Sequence, residues 1–207
     1  FKDSRIQGFK DSRIQGSEEI FAQTYPAIYA HLAQFRQSLI DRYDQGHFFW
    51  ELRSCAYWAE FEKTKIFVPA IANKVEYAAD QAGFYGNDKT NIIIHEHWRY
   101  LLAILNSSIS WWFTQQIFSS KQGGFFEFKP MYVAQIPIAN HTEAQKTLLE
   151  TLVDHLMQRT ERARLEHLMN GLVYELFFAT DAQAAGVHLF DTCAQIGLDD
   201  IDALAQH

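Results

Sequence analysis

The sequence predicts an α+β fold, a mixed-sheet domain followed by long amphipathic helices. Three observations carry that reading. From Phe48 to Ile94, and again at Phe125–Phe128, short runs rich in β-branched and aromatic residues alternate with turn residues, which is the pattern of strands. Apolar residues at steps of three and four mark helices over Tyr25–Tyr43 and Thr142–Phe178. After Pro137 helix formers take over, which places a boundary near Ala139–Thr142.

The first sixteen residues are FKDSRIQG written twice. One perfect duplication is no solenoid, which needs several longer units to bury a face, so residues 1–24 are expected to stand outside the fold. Ile28, Leu32, Phe35, Leu39 and Tyr43 then make one apolar stripe, with Pro26 in the first turn and Gly46 as the stop. Strands are expected at Phe48–Leu52, Lys65–Val68, Val75–Ala78 and Asn91–Ile94, separated by Pro69, Asn73, Gly83 and the turn Gly86-Asn87-Asp88. Tyr100–Asn106 and Ser110–Phe118 read as short buried helices, and Gly123-Gly124 breaks the chain before a last strand at Phe125–Phe128. Two leucine-rich stripes, Leu148–Met157 and Leu165–Leu176, flank a charged stretch at 158–164; they form one long helix or two consecutive ones. The expected organisation is a leader over 1–24, a domain over 25–138 and a helical segment over 139–207.

The chain has 207 residues, 48% hydrophobic and 15% aromatic, enough to bury a real core and unlike a disordered chain. No run of about 18 apolar residues occurs, so no membrane span is expected, and no apolar segment follows Phe1 as a signal peptide would require. The two cysteines, Cys55 and Cys193, are far apart and suit unpaired thiols in a reducing cytoplasm. The net charge of −7 is unevenly placed: residues 1–24 and 25–138 are each neutral, whereas 139–207 carry four basic and eleven acidic residues. The middle segment is therefore free to present a locally basic face, while the last third repels phosphate.

Signatures of catalysis are lacking. No glycine-rich cofactor loop follows a predicted strand, and there is neither a phosphate-cradling loop with its lysine nor a nucleophile elbow. The Asn-Pro-Pro-aromatic motif of adenine methyltransferases is also absent. Glu127-Phe128-Lys129 matches half of a metal-dependent nuclease signature, but no carboxylates at a matching spacing join it; alternating charges on an exposed strand face are the better reading. His95-Glu96-His97 would point two imidazoles the same way on an extended chain, yet no third ligand stands at a recognisable spacing, so no metal site is assigned. Trp111-Trp112-Phe113 could stack on bases, although adjacent aromatics on a helix point apart and burial is the default.

The order of several short motifs resembles the TaqI-like C-terminal specificity domain of type IIG restriction enzymes and related adenine-specific DNA methyltransferases. The landmarks are Tyr25-Pro26 with Tyr29 and Leu32, Trp50-Glu51-Leu52-Arg53, Phe61 through Lys65-Ile66 to Pro69, Leu101–Ser107, Gly123-Gly124-Phe125, Ile136-Pro137-Ile138 and Leu172–Phe177. Ile136 stands where the family usually has leucine, and Ala139 follows where it has proline. The resemblance covers about residues 25–178. It implies a bacterial, cytoplasmic module that reads double-stranded DNA beside a methyltransferase domain of the same polypeptide, sometimes with an endonuclease. It further implies that S-adenosylmethionine, and Mg²⁺ where there is a nuclease, serve the parent enzyme, while this chain itself needs no cofactor and is catalytically silent.

Base methylation takes the target nucleotide out of the stack, so a separate surface must hold the duplex in register. Phosphate contacts position it and base-edge contacts specify. The candidate DNA contacts are polar or basic residues in loops: Arg53, Asn73, Lys74, Asn87, Lys89, Lys121 and Gln122. Paired glycines beside Lys121-Gln122 allow a backbone close to a ligand. The alternative is a protein-interaction or scaffold domain acting through its acidic amphipathic helices.

Overall fold

The computed structural model describes residues 16–44, 46–53, 55–159 and 162–197. These residues hold ten α-helices and two small sheets, the expected α+β class. The chain forms two compact units that divide after Trp58.

In the first unit, Ser17–Thr24, read from the sequence as leader, forms α1 and buries Phe21; residues 1–15 lie outside the described residues. Pro26 opens α2 (Pro26–Ala33) because Tyr25 before it is held out of helical geometry at φ −134° and ψ 63°. The single helix expected over Tyr25–Tyr43 is broken. The Phe35 amide turns back to the Leu32 carbonyl at 3.0 Å, closing a tight last turn, and α3 (Arg36–Asp41) starts afresh. The strand expected at Phe48–Leu52 is a turn instead. The Glu51 carboxylate accepts from the amides of His47 (2.9 Å) and Phe48 (3.2 Å) and so closes it on itself. The aromatics there serve stacking rather than a ladder: Trp50 lies flat on Phe21 at 4.8 Å and on Phe48 at 4.6 Å.

The second unit carries β1 (Lys65–Pro69), β2 (Ile71–Ala72), β3 (Ala78–Asp80) and β4 (Thr90–Ile93), then β5 (Ser119–Lys121) and β6 (Phe125–Glu127). The sheets are ordered β3-β1-β4 and β2-β6-β5. Every pairing is antiparallel, which corrects the expected mixed sheet. Parallel pairs need long crossovers, whereas β5 and β6 are joined by the three residues between Lys121 and Phe125. Ala70 links the sheets: its amide donates to the Lys89 carbonyl and its carbonyl accepts from the Phe128 amide, both at 2.9 Å. β3 starts later than expected because a side chain takes the backbone of Tyr77. Asn106 accepts from the Tyr77 amide (3.0 Å) and donates to its carbonyl (2.9 Å).

Asn106 ends α4 (Trp98–Leu105), and Ser107 caps α5 (Ser108–Ile117) through a bond from the Ser110 amide to its hydroxyl. After α6 (Pro130–Val133), the long helical segment is two helices, α7 (Glu143–Gln158) and α8 (Ala163–Phe177). α7 opens on a Thr142/Gln145 capping box. Its Leu149 and Leu152, with Leu172 and Val173 of α8, are wholly buried, and α4 packs against both helices. Two short helices follow, α9 (Ala179–Ala184) and α10 (Leu189–Ile196). α10 comes so close that a Cβ on Gly171 of α8 would stand 2.7 Å from Leu189 Cδ1, and Glu175 accepts from the Leu189 amide at its start. The helical segment therefore belongs to the same compact unit as both sheets.

Candidate nucleic-acid interface

Six of the seven predicted contact residues fall in the second unit. Arg53 alone lies in the first, 79% exposed at the side chain and 4.0 Å from the Asp44 carboxylate.

The β2-β6-β5 sheet gathers four of the six at one end. Lys121 pairs with Phe125 across the hairpin, and Gln122 begins its tip. Ala72 pairs with Phe126, so Asn73 and Lys74 run on past β2 toward that same tip. All four are exposed. Lys74 pairs with Glu76 at 3.1 Å and Lys121 with Glu127 at 3.3 Å. Among the described residues, the side chains of Asn73 and Gln122 have no polar partner. Gly123 and Gly124 both adopt positive φ, 81° and 77°, and a Cβ on Gly124 would meet nothing within 4 Å. Their need is conformational: left-handed backbone turns the chain sharply and leaves the tip open.

Asn87 and Lys89 stand apart, in the loop before β4. Asn87 builds that loop, its side chain accepting from the Lys89 amide (2.9 Å) and its carbonyl from the Thr90 amide (3.2 Å). Such a turn occupies the carbonyl end of the side chain. Lys89 pairs with Asp88 at 2.6 Å, and this neighbour holds the Asp88 carboxyl below its ordinary value.

Beside the predicted set the structure adds Glu127 and Lys129. Alternation along β6 turns Phe126 inward against Trp111, at 5.5 Å and 90°, and leaves Phe125 and Glu127 on the outer face. Ile71 pairs directly with Glu127 and is 53% exposed. The Nζ atoms of Lys121 and Lys129 lie 3.3 and 3.1 Å from the same atom, Glu127 Oε2. The Lys129 ammonium, with Lys121 beside it, holds the Glu127 carboxyl below the ordinary glutamate value. Sequence reading recognised the alternating charges but not their convergence, which depends on the hairpin register.

The remaining aromatic and histidine motifs divide. Trp111 is partly buried on Phe126 while Trp112 is 60% exposed, so the tryptophan pair forms no single platform. His95 accepts from the His97 amide at 3.0 Å, and among the described residues no three His, Cys, Asp or Glu side chains converge to hold a metal. Cys55 and Cys193 are unpaired. No described helix is long and apolar enough to cross a membrane.

A comparison with curated proteins finds no match. A family model, the TaqI-like C-terminal specificity domain, matches residues 24–138, a stretch that contains both sheets, α2 to α6 and all seven predicted contacts. The chain belongs to the TaqI-like C-terminal specificity domain family.

Proposed function

We propose that this chain reads the sequence of double-stranded DNA for a bacterial restriction-modification enzyme whose methyltransferase domain modifies adenine. The observation that carries this is the family match together with what the matched segment gathers: an open hairpin tip with an unpartnered glutamine and a lysine on each side. Glutamine can pair bidentately with adenine and arginine with guanine, whereas lysine suits phosphate. In this reading Gln122 and, in the other unit, Arg53 each contact a base, Lys74, Lys89 and Lys121 hold the backbone, and Asn73 and Asn87 are further polar contacts.

S-adenosylmethionine, and Mg²⁺ if the enzyme also cleaves, belong to the catalytic part of that enzyme. The paired glycines sit at a hairpin tip and not where a strand feeds a helix, which supports that assignment. The cytoplasm is the expected compartment. The leucine stripes of α7 and α8 are buried within the unit, so the scaffold alternative rests on the acidic outer faces of those helices.

The test is alanine substitution at Lys121, Gln122 and Arg53 in the enzyme, read against target and random duplexes. Lys121→Ala is expected to weaken both alike and flatten the salt dependence by about one unit. Gln122→Ala and Arg53→Ala should each cost about 1–3 kcal/mol on the target and little on random DNA. Unchanged affinity and sequence preference in all three would show that another face touches DNA.

A further inference from the structure

The outer face of the β2-β6-β5 sheet carries a charge arrangement that fold stability does not explain. Exposed ion pairs stabilise a protein little. Here, though, two ammonium groups from the two arms of one hairpin converge on one carboxylate oxygen, leaving a surplus positive charge on a sheet that also exposes Ile71 and Phe125. The lysine side chains are 44% and 51% exposed and the carboxylate only 21%. The cations are thus open to an incoming anion while the glutamate sits between them, backed by the sheet. A phosphate offers the same geometry to such a pair, an anionic oxygen that accepts from two ammonium groups at once.

We propose that Lys121 and Lys129 form a site for a duplex-DNA phosphate, and that Glu127 occupies it in the free chain as a substitute for that phosphate. The inference rests on the DNA-reading function proposed above and adds to it a device against indiscriminate binding. Any duplex must displace Glu127 before both lysines bind its backbone. The competing carboxylate weakens every duplex by the same factor, and random DNA, which gains only phosphate contacts, has nothing to set against that cost. A target site also gains base contacts, which a charge-for-charge competition leaves untouched.

The experiment uses the 207-residue chain, a fluorescent random-sequence duplex of about 25 base pairs, and a salt titration from about 20 to 200 mM, a range over which phosphate contacts dominate affinity. Glu127→Gln keeps the side-chain shape and removes the competing charge. It is expected to bind the random duplex about three- to ten-fold more tightly at low salt and to steepen the slope of log affinity against log salt by about one unit. The double variant Lys121→Ala/Lys129→Ala, altered only at exposed positions, should flatten that slope by between about one and two units. Thermal unfolding of each variant checks that it is folded. An unchanged affinity and slope in Glu127→Gln would overturn the proposal. So would an unchanged slope in the double variant, which decides the matter even if Glu127→Gln does not fold. These outcomes leave the DNA-reading function standing so long as the wild-type chain binds duplex with a salt-dependent affinity. Wild-type protein that binds no duplex at about 20 mM salt would overturn both.

Discussion

At the scale of single residues, the buried ion pair between Lys65 and Asp80 anchors the first sheet. Lys65 is wholly buried and Asp80 is 6% exposed. Lys65 also donates to the Phe61 carbonyl, and Asp80 accepts from the amides of Ala82 (2.9 Å) and Phe84 (2.8 Å). Burial alone would raise the Asp80 carboxyl, but the lysine and the two amides outweigh it and hold it below the ordinary value. Asp80→Ala strands a charged lysine in the interior and is expected to cost about 3–5 kcal/mol in chemical denaturation at pH 7. Because the folded-state value is depressed, this stabilisation is complete above the unfolded value of about 4 and is lost as pH falls through the folded one. The difference between wild type and variant should therefore shrink below about pH 4; a difference constant with pH would deny the carboxylate that role. None of this was legible in the sequence, where Lys65 reads as the polar edge of a strand and its partner lies fifteen positions on. All seven contact candidates are exposed, as the sequence suggested, although Lys121 ends strand β5 and does not lie in a loop. Their grouping was not legible, because the register that brings Asn73 and Lys74 to the tip at Gln122 is a property of the paired strands.

At the scale of elements, α7 ties the helical segment to the rest of its unit. Its leucines cover α4 and α8, Arg99 of α4 binds Asp154 of α7 at 2.6 Å, and the Tyr100 hydroxyl donates to the Ala139 carbonyl just before α7 begins. Leu152→Ala leaves a cavity in a fully buried site and should cost about 2–5 kcal/mol. Thr142→Ala, which removes the helix cap, should cost about 1 kcal/mol. Denaturant titration of both variants separates the two magnitudes, and a Leu152→Ala loss no larger than the Thr142→Ala loss would refute the packing described here. Both helices were legible because a leucine stripe repeats over four or more turns. The strands were less so. Val75–Ala78 is rich in strand formers, but the Asn106 side chain occupies the Tyr77 backbone. Phe48–Leu52 is aromatic because its rings stack on one another and on Phe21. β2 and β5, two and three residues long, are too short to show any period.

At the scale of the whole molecule, charge and fold divide the work. Residues 139–207 hold the full acidic surplus, four basic against eleven acidic, and their apolar faces close the core under α4 and α5. The segment over 25–138 is neutral and carries the open hairpin, its lysines and the restraining glutamate, as a surface would if it must release random DNA and retain one sequence. The central claim is that this surface discriminates among sequences, and selection measures that directly. The chain is incubated with a duplex library randomised over about 12 base pairs at near-physiological salt, and the bound fraction is sequenced over successive rounds. The account predicts enrichment of one short motif, with Gln122→Ala relaxing it at one position while the other positions hold. A bound pool that stays as random as the input after every round, at every salt concentration tried, would contradict it.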